Sequence, residues 1–111
     1  MPVLAKVLIQ SKFAEGAQTT QYTSVAARTI IDKFTATNTS GSNVSLSVNM
    51  VPTGNAPGAS NLVVDARVLA PDETYTCPEL VGHILDPGNF ISTLVSAASA
   101  VVLRASGREA T

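Results

Sequence analysis

The segment Val44-Ser45-Leu46-Ser47-Val48-Asn49-Met50 alternates apolar and polar residues without error. Strand side chains point alternately to two faces, so such a run has one buried face and one wet face. A helix would scatter the same residues around its axis. Residues 29–37 behave similarly: Ile30, Phe34 and Ala36 share one parity, and Lys33, Thr35 and Thr37 the other. Ile31 and Asp32 break that pattern, one on each face. Between the two runs lies Asn38-Thr39-Ser40-Gly41-Ser42-Asn43, a string of turn formers. Two alternating runs around a Gly-containing loop predict a β-hairpin. A single buried side is the mark of an antiparallel sheet.

The rest of the chain reads in the same grammar. Residues 18–24 are Thr-rich and predict a strand anchored by Tyr22. Residues 52–60 hold two Pro and two Gly and predict a long loop, a kind often functional or mobile. Residues 61–69 return to strand chemistry, with Leu62, Val64, Ala66 and Val68 on one face and Asp65 and Arg67 on the other. Ala70-Pro71-Asp72-Glu73 is a turn. Residues 74–77 predict a short strand ended by Pro78, and residues 79–85 either a helical turn or a short strand. Asp86-Pro87-Gly88-Asn89 is a turn. Residues 90–95 and 100–106 read as two strands across a small-residue link, although residues 90–104 can also be written as one helix. β-branched residues and the Asp-Pro-Gly before them favour strands. Residues 1–17 form an N-terminal arm, a short helix or an edge strand, and residues 18–111 a single domain. Seven or eight short strands with turns about every ten residues predict an all-β fold, an antiparallel β-sandwich or jelly roll.

Composition narrows the function classes. At 111 residues the chain fits one domain with a sizeable core. Only 14% of residues are charged, against about 25% in ordinary proteins, and 45% are hydrophobic. That is not the composition of a disordered chain. The net charge of −1, without clustering, argues against a nucleic-acid partner. There are 12 Thr, 11 Ser, 15 Ala and 13 Val. A surface of such residues suits contact with other protein, because Lys and Glu are depleted in interfaces. The same composition also describes a small β-protein with a neutral surface. No signal sequence and no run of about 20 apolar residues is present, so neither secretion nor a membrane partner is expected. Asn38-Thr39-Ser40 and Asn43-Val44-Ser45 match the glycosylation pattern but are ordinary turn material.

The residues that carry chemistry are few. One Cys and one His exclude a Cys/His zinc site and an internal disulfide. Cys77 and His83 stand six residues apart, and a buried Cys beside an unrelated His is the expectation over a catalytic pair. No Gly-x-Ser-x-Gly elbow, dinucleotide fingerprint or Walker pattern occurs. Asp65, Asp72, Glu73, Glu79 and Asp86 fall in or near turns and read as solvated carboxylates rather than a glycosidase pair. Arg67, Arg104 and Arg108 read as surface ion pairs with Asp65 or Glu109, or as partner contacts. No catalytic residue, metal site, cofactor or small-molecule substrate is expected.

Several segments together resemble a known group: Tyr22-Thr23, residues 30–41 (Ile-Ile-Asp-Lys-Phe-Thr-Ala-Thr-Asn-Thr-Ser-Gly), residues 61–71 (Asn-Leu-Val-Val-Asp-Ala-Arg-Val-Leu-Ala-Pro), Leu80-Val81-Gly82, residues 85–91 (Leu-Asp-Pro-Gly-Asn-Phe-Ile) and residues 105–109 (Ala-Ser-Gly-Arg-Glu). The chain resembles the small all-β virion structural proteins of tailed bacteriophages, from about residue 18 onward, and most of all a head decoration or cement protein. The resemblance implies a location in the virion after synthesis in a bacterial cytoplasm. It implies contact with the major capsid protein and with copies of itself, on the outer capsid lattice. A neck, tail or fibre-attachment protein, and a β-sandwich module binding the host surface, are the alternatives. No contact residue is carried over from the group.

Contact residues are therefore read from this chain alone. The apolar stretch Val3, Leu4, Val7, Leu8 and Ile9 is costly to expose in a monomer and is expected to pack on a neighbouring subunit or the capsid. The loop containing Gly54, Asn55 and Pro57 is the second candidate, a plain solvent loop being its alternative.

Overall fold

A computed structural model describes residues 3–110. Among them are nine strands: β1 (Val3–Phe13), β2 (Thr19–Thr23), β3 (Arg28–Asn38), β4 (Val44–Val51), β5 (Leu62–Leu69), β6 (Thr74–Tyr75), β7 (Ile84–Leu85), β8 (Phe90–Val95) and β9 (Val101–Ala110), with one 3-10 turn at Ala59–Asn61. Two antiparallel sheets face each other. One has the order β1-β9-β3-β6, with β7 also pairing β3, and the other has the order β2-β8-β4-β5. Counting β6 and β7 as one interrupted strand, these are the strand orders of an eight-stranded jelly roll. The expected all-β sandwich is the observed fold.

The core is built by alternation. Val44, Leu46 and Val48 of β4 are buried, and so are Phe34, Ala36, Leu103 and Ala105 of β3 and β9. Residues 90–104 form two strands in different sheets, not a helix. β1 settles the N-terminal segment as an edge strand, paired to β9 from Val3↔Ala110 to Phe13↔Val102. The short-helix reading of that segment is thereby corrected.

A second correction concerns the hairpin. β3 and β4 belong to different sheets, so residues 39–43 form a crossing between layers rather than a hairpin turn. The buried Asn38 makes this corner. Its Nδ2 donates to the carbonyls of Ser42 (2.8 Å) and Leu69 (2.9 Å), and its Oδ1 accepts from the backbone N–H of Ser40 (3.0 Å). Those bonds tie the exposed corner to β5 and give the buried Leu69 carbonyl a donor. β3 meanwhile finds β9 along ten residue positions, from Arg28↔Ala110 to Asn38↔Val101. Alternation shows which residues face inward, not which strand lies alongside.

Residues 79–85 combine both readings offered for them. Leu80 N–H donates to the Cys77 carbonyl (2.9 Å), closing a turn, and Ile84–Leu85 then returns as β7. The interruption of the strand has local causes. Pro78 has no N–H for a ladder, Cys77 takes φ 47, and Leu80 is drawn fully into the core.

Candidate functional site

The predicted contact residues divide on the structure. Val3 and Leu4 are 55% and 59% exposed, and Val7 is half-buried. Leu8 and Ile9 are buried in the sandwich core and offer no surface to a partner. The reason is a change of register. Pairing with β9 slips between Val7 and Ile9 and again between Ile9 and Lys12. The extra residue in each slip turns consecutive side chains inward, which strict alternation does not allow.

Gly54 and Asn55 are exposed and Pro57 is half-buried, in a loop held by two asparagines. Asn49 Nδ2 donates to the Gly58 carbonyl (3.0 Å) and to Asn61 Oδ1 (2.7 Å). Asn61 in turn donates to the Ala56 carbonyl (3.0 Å) and accepts from Gly58 N–H (3.1 Å). Gly54 takes φ 83, in the left-handed region where a side chain is strained. The loop is thus fastened from within. Asn49, read as an outward polar residue, is its buried clamp.

The fold brings the two predicted segments to one end of the sandwich. Val3 lies opposite Ala110, which lies opposite Arg28. Arg28 Nε is 3.3 Å from Asp86 Oδ1. Gly88 N–H donates to the Ser24 carbonyl (2.6 Å), and Asn89 Oδ1 accepts from Thr53 N–H (2.9 Å). This end therefore carries Val3, the turns at residues 24–27 and 86–89, and the loop after β4. Two exposed apolar residues that sequence reading passed over join it: Val25 (78% exposed) and Ile84 (55%). Val25 sits in a short turn without periodicity, and Ile84 in a two-residue strand, so neither carried a pattern.

A polar chain braces the same end. Lys6 Nζ donates to Glu109 Oε2 (3.2 Å), and Tyr22 OH donates to the same oxygen (3.1 Å). Tyr22 OH also meets Thr29 Oγ1 (3.0 Å), which meets Ser24 Oγ (2.9 Å). The hydrogen bond to Glu109 raises the Lys6 pKa above its usual value. Lys6 also lies over the Tyr22 ring, 5.4 Å from its centre.

The outer faces of the two sheets differ. The β1-β9-β3 sheet shows ions: Arg108 grips Asp32 with three contacts of 3.0–3.2 Å, and Lys33 and Arg104 stand exposed beside them. The other sheet shows the uncharged Ser45, Ser47, Leu94 and Val68, with Asp65 and Arg67 exposed on its edge strand β5. The three arginines take partners other than Asp65 and Glu109. Arg108 takes Asp32, Arg104 reaches Gln10 (3.5 Å), and Arg67 stacks on the Tyr75 ring at 4.1 Å. Tyr75 OH donates to the Glu79 carboxylate, closing the side of the sandwich between β5 and β6.

Cys77 is fully buried, its thiol 3.7 Å from the Tyr75 carbonyl. Burial, with Glu79 adding to it, pushes its pKa up to about 12. A thiol in that state is protonated at neutral pH and is a poor nucleophile. His83 is exposed. It lines a cleft of about 340 Å³ with Met50 and Asn61, to which Cys77 contributes nothing. A cleft of about 390 Å³ beside Pro78 and Val81 includes neither residue. Among the described residues, no three His, Cys, Asp or Glu side chains gather closely enough to hold a metal ion. Comparison with protein-family models, curated proteins and solved structures finds no match.

Proposed function

We propose that this chain is a structural protein of a tailed-phage virion, binding the outer capsid lattice and stabilising it by non-covalent contacts with the major capsid protein and with copies of itself. The carrying observation is the end of the jelly roll where Val3, Leu4, Val25 and Ile84 stand exposed beside an internally fastened loop. Burying apolar surface contributes about 25 cal/mol per Å², and repeated contacts on a lattice multiply the effect. Jelly rolls serve widely as capsid and lectin domains, an analogy of fold alone.

The host-surface alternative calls for a patch of exposed aromatics. Phe34 and Tyr75 are buried, Tyr22 and Phe90 are half-buried, and Phe13 alone of the five is exposed. That distribution favours protein contact over sugar stacking.

The test is reconstitution. Purified protein is added to capsids lacking it, and bound copies and capsid melting temperature are measured. Saturable binding with a raised melting temperature is expected, and Val25→Asp with Ile84→Asp is expected to abolish both. Removing residues 1–12 is unsuitable, because it deletes core residues Leu8 and Ile9. Absence of binding by the folded wild-type protein would refute the proposal.

A further inference from the structure

We infer that two copies of this chain join through the first half of β1, in antiparallel register centred on Ala5, to make one continuous sheet. A strand at a sheet edge exposes unpaired N–H and C=O groups, and proteins blunt such edges with bulges, charges or short strands. Three edges here are blunted. β6 and β7 have two residues each. β5 slips register twice against β4, holds Ala66 at φ 46 and exposes Asp65 and Arg67. β2 has five residues, four of them Thr or Gln, and a register slip between Thr20 and Tyr22.

β1 is different in its first five residues. Its pairing with β9 runs unbroken from Val3↔Ala110 to Val7↔Ser106, so its other edge is equally regular there. The slips begin only after Val7 and end the usable stretch. The one charge, Lys6, is bound to Glu109 and lies over Tyr22, so it does not project across the edge.

The sequence of this stretch matches itself. With Ala5 on the two-fold axis, Val3 faces the second copy's Val7, Ala5 faces Ala5, and Leu4 faces Lys6. One face of the junction is wholly apolar, and no two like charges meet. Centring on Lys6 instead would set two lysines opposite each other, which is unfavourable. Five paired residues bury well under the ~800 Å² per partner of a standard interface, so a dissociation constant of about 10–1000 µM is expected. A lattice would raise the effective concentration above that range.

Sedimentation equilibrium of the purified full chain from about 5 µM to about 2 mM, with hydrogen exchange on the same samples, tests this. The wild type is expected to dimerise, with exchange within Val3–Val7 slowing as concentration rises. Ala5→Asp sets two carboxylates face to face and is expected to weaken the dimer at least about tenfold. Leu4→Thr keeps an uncharged residue opposite Lys6 and, at an exposed position, is expected to keep the wild-type affinity within about threefold. A chain that stays monomeric, exchange at residues 3–7 that ignores concentration, or two variants that behave alike would each overturn the inference. The exchange measurement holds even if Ala5→Asp does not fold. Dimerisation is read from the chain alone and capsid binding from capsids, so either can fail without the other.

Discussion

Gly107 of β9 stands so close to Ile30 of β3 that a Cβ placed on it would lie 2.1 Å from the Ile30 carbonyl oxygen. The crowding falls where pairing between β3 and β9 slips, between Ile31 and Lys33. Leu8 Cδ1 closes the same space from β1, at 3.0 Å. Any side chain here pushes β9 away from β3 on one side and crowds β1 on the other.

Gly107→Ala is accordingly expected to destabilise the fold by about 2–4 kcal/mol, as overpacking against fixed backbone does. The neighbouring Arg108→Ala removes three contacts to Asp32, yet both side chains are 40% or more exposed. Exposed ion pairs contribute little, so a loss far smaller than that of Gly107→Ala is expected. Urea unfolding of the two variants checks the contrast, which would fail if Arg108→Ala were the more damaging.

β1 allows a similar separation of core from surface. Leu8→Ala and Ile9→Ala each empty buried space and are expected to cost about 2–4 kcal/mol. Val3→Ser and Leu4→Ser, at exposed positions of the same strand, are expected to change stability by under about 0.5 kcal/mol. Thermal melts of the four variants distinguish these outcomes. Equal losses at all four positions would contradict the assignment.

These two pairs of residues also show where sequence reading stops. Val3 to Ile9 looks like one apolar stretch, because alternation is blind to register slips, which depend on the opposing strand. The alternation of Val44 to Val48 was legible, since it records only burial. The partner of β3 was not, since Asn38 closes the corner with bonds to Ser42, four residues on, and to Leu69, thirty-one residues on. Asn49 and Asn61 likewise look like common loop residues until the loop folds back and joins them. The meeting of residues 3–4 and 52–58 at one end follows from strand order, which no local pattern carries.

Asn38→Ala is expected to cost about 2–3 kcal/mol. It leaves the buried Leu69 carbonyl without its Asn38 donor and unties the half-exposed Ser40 N–H. Chemical denaturation measures the loss, and a variant as stable as the wild type would show that the corner holds without it.

Alkaline stability has a defined sign. Burial raises the Cys77 thiol from 9.0 to about 12, and burial with the Glu79 hydrogen bond raises the Tyr75 phenol from 10.0 to about 12. Both groups are raised above their unfolded values. Their contribution is therefore complete below about pH 9 and is lost as pH climbs from 9 towards 12. For Cys77 a shift of that size corresponds to up to about 4 kcal/mol across the window. Stability measured from pH 8 to 11 is expected to fall, and more gently in Cys77→Ala. Equal slopes would place the cause elsewhere. At the acid end, Glu15 is held below its usual value by Lys12 and Gln21, and Glu79 by Tyr75. Stability present above the ordinary carboxylate range is thus lost as pH falls through it.

The number of copies of this chain in purified mature phage particles bears most directly on its proposed role. Quantitative mass spectrometry against the major capsid protein is expected to find hundreds per particle, with an ordered proportion to the lattice. A dozen or fewer would move the protein to the neck or tail, and its absence from particles would contradict a role in the virion.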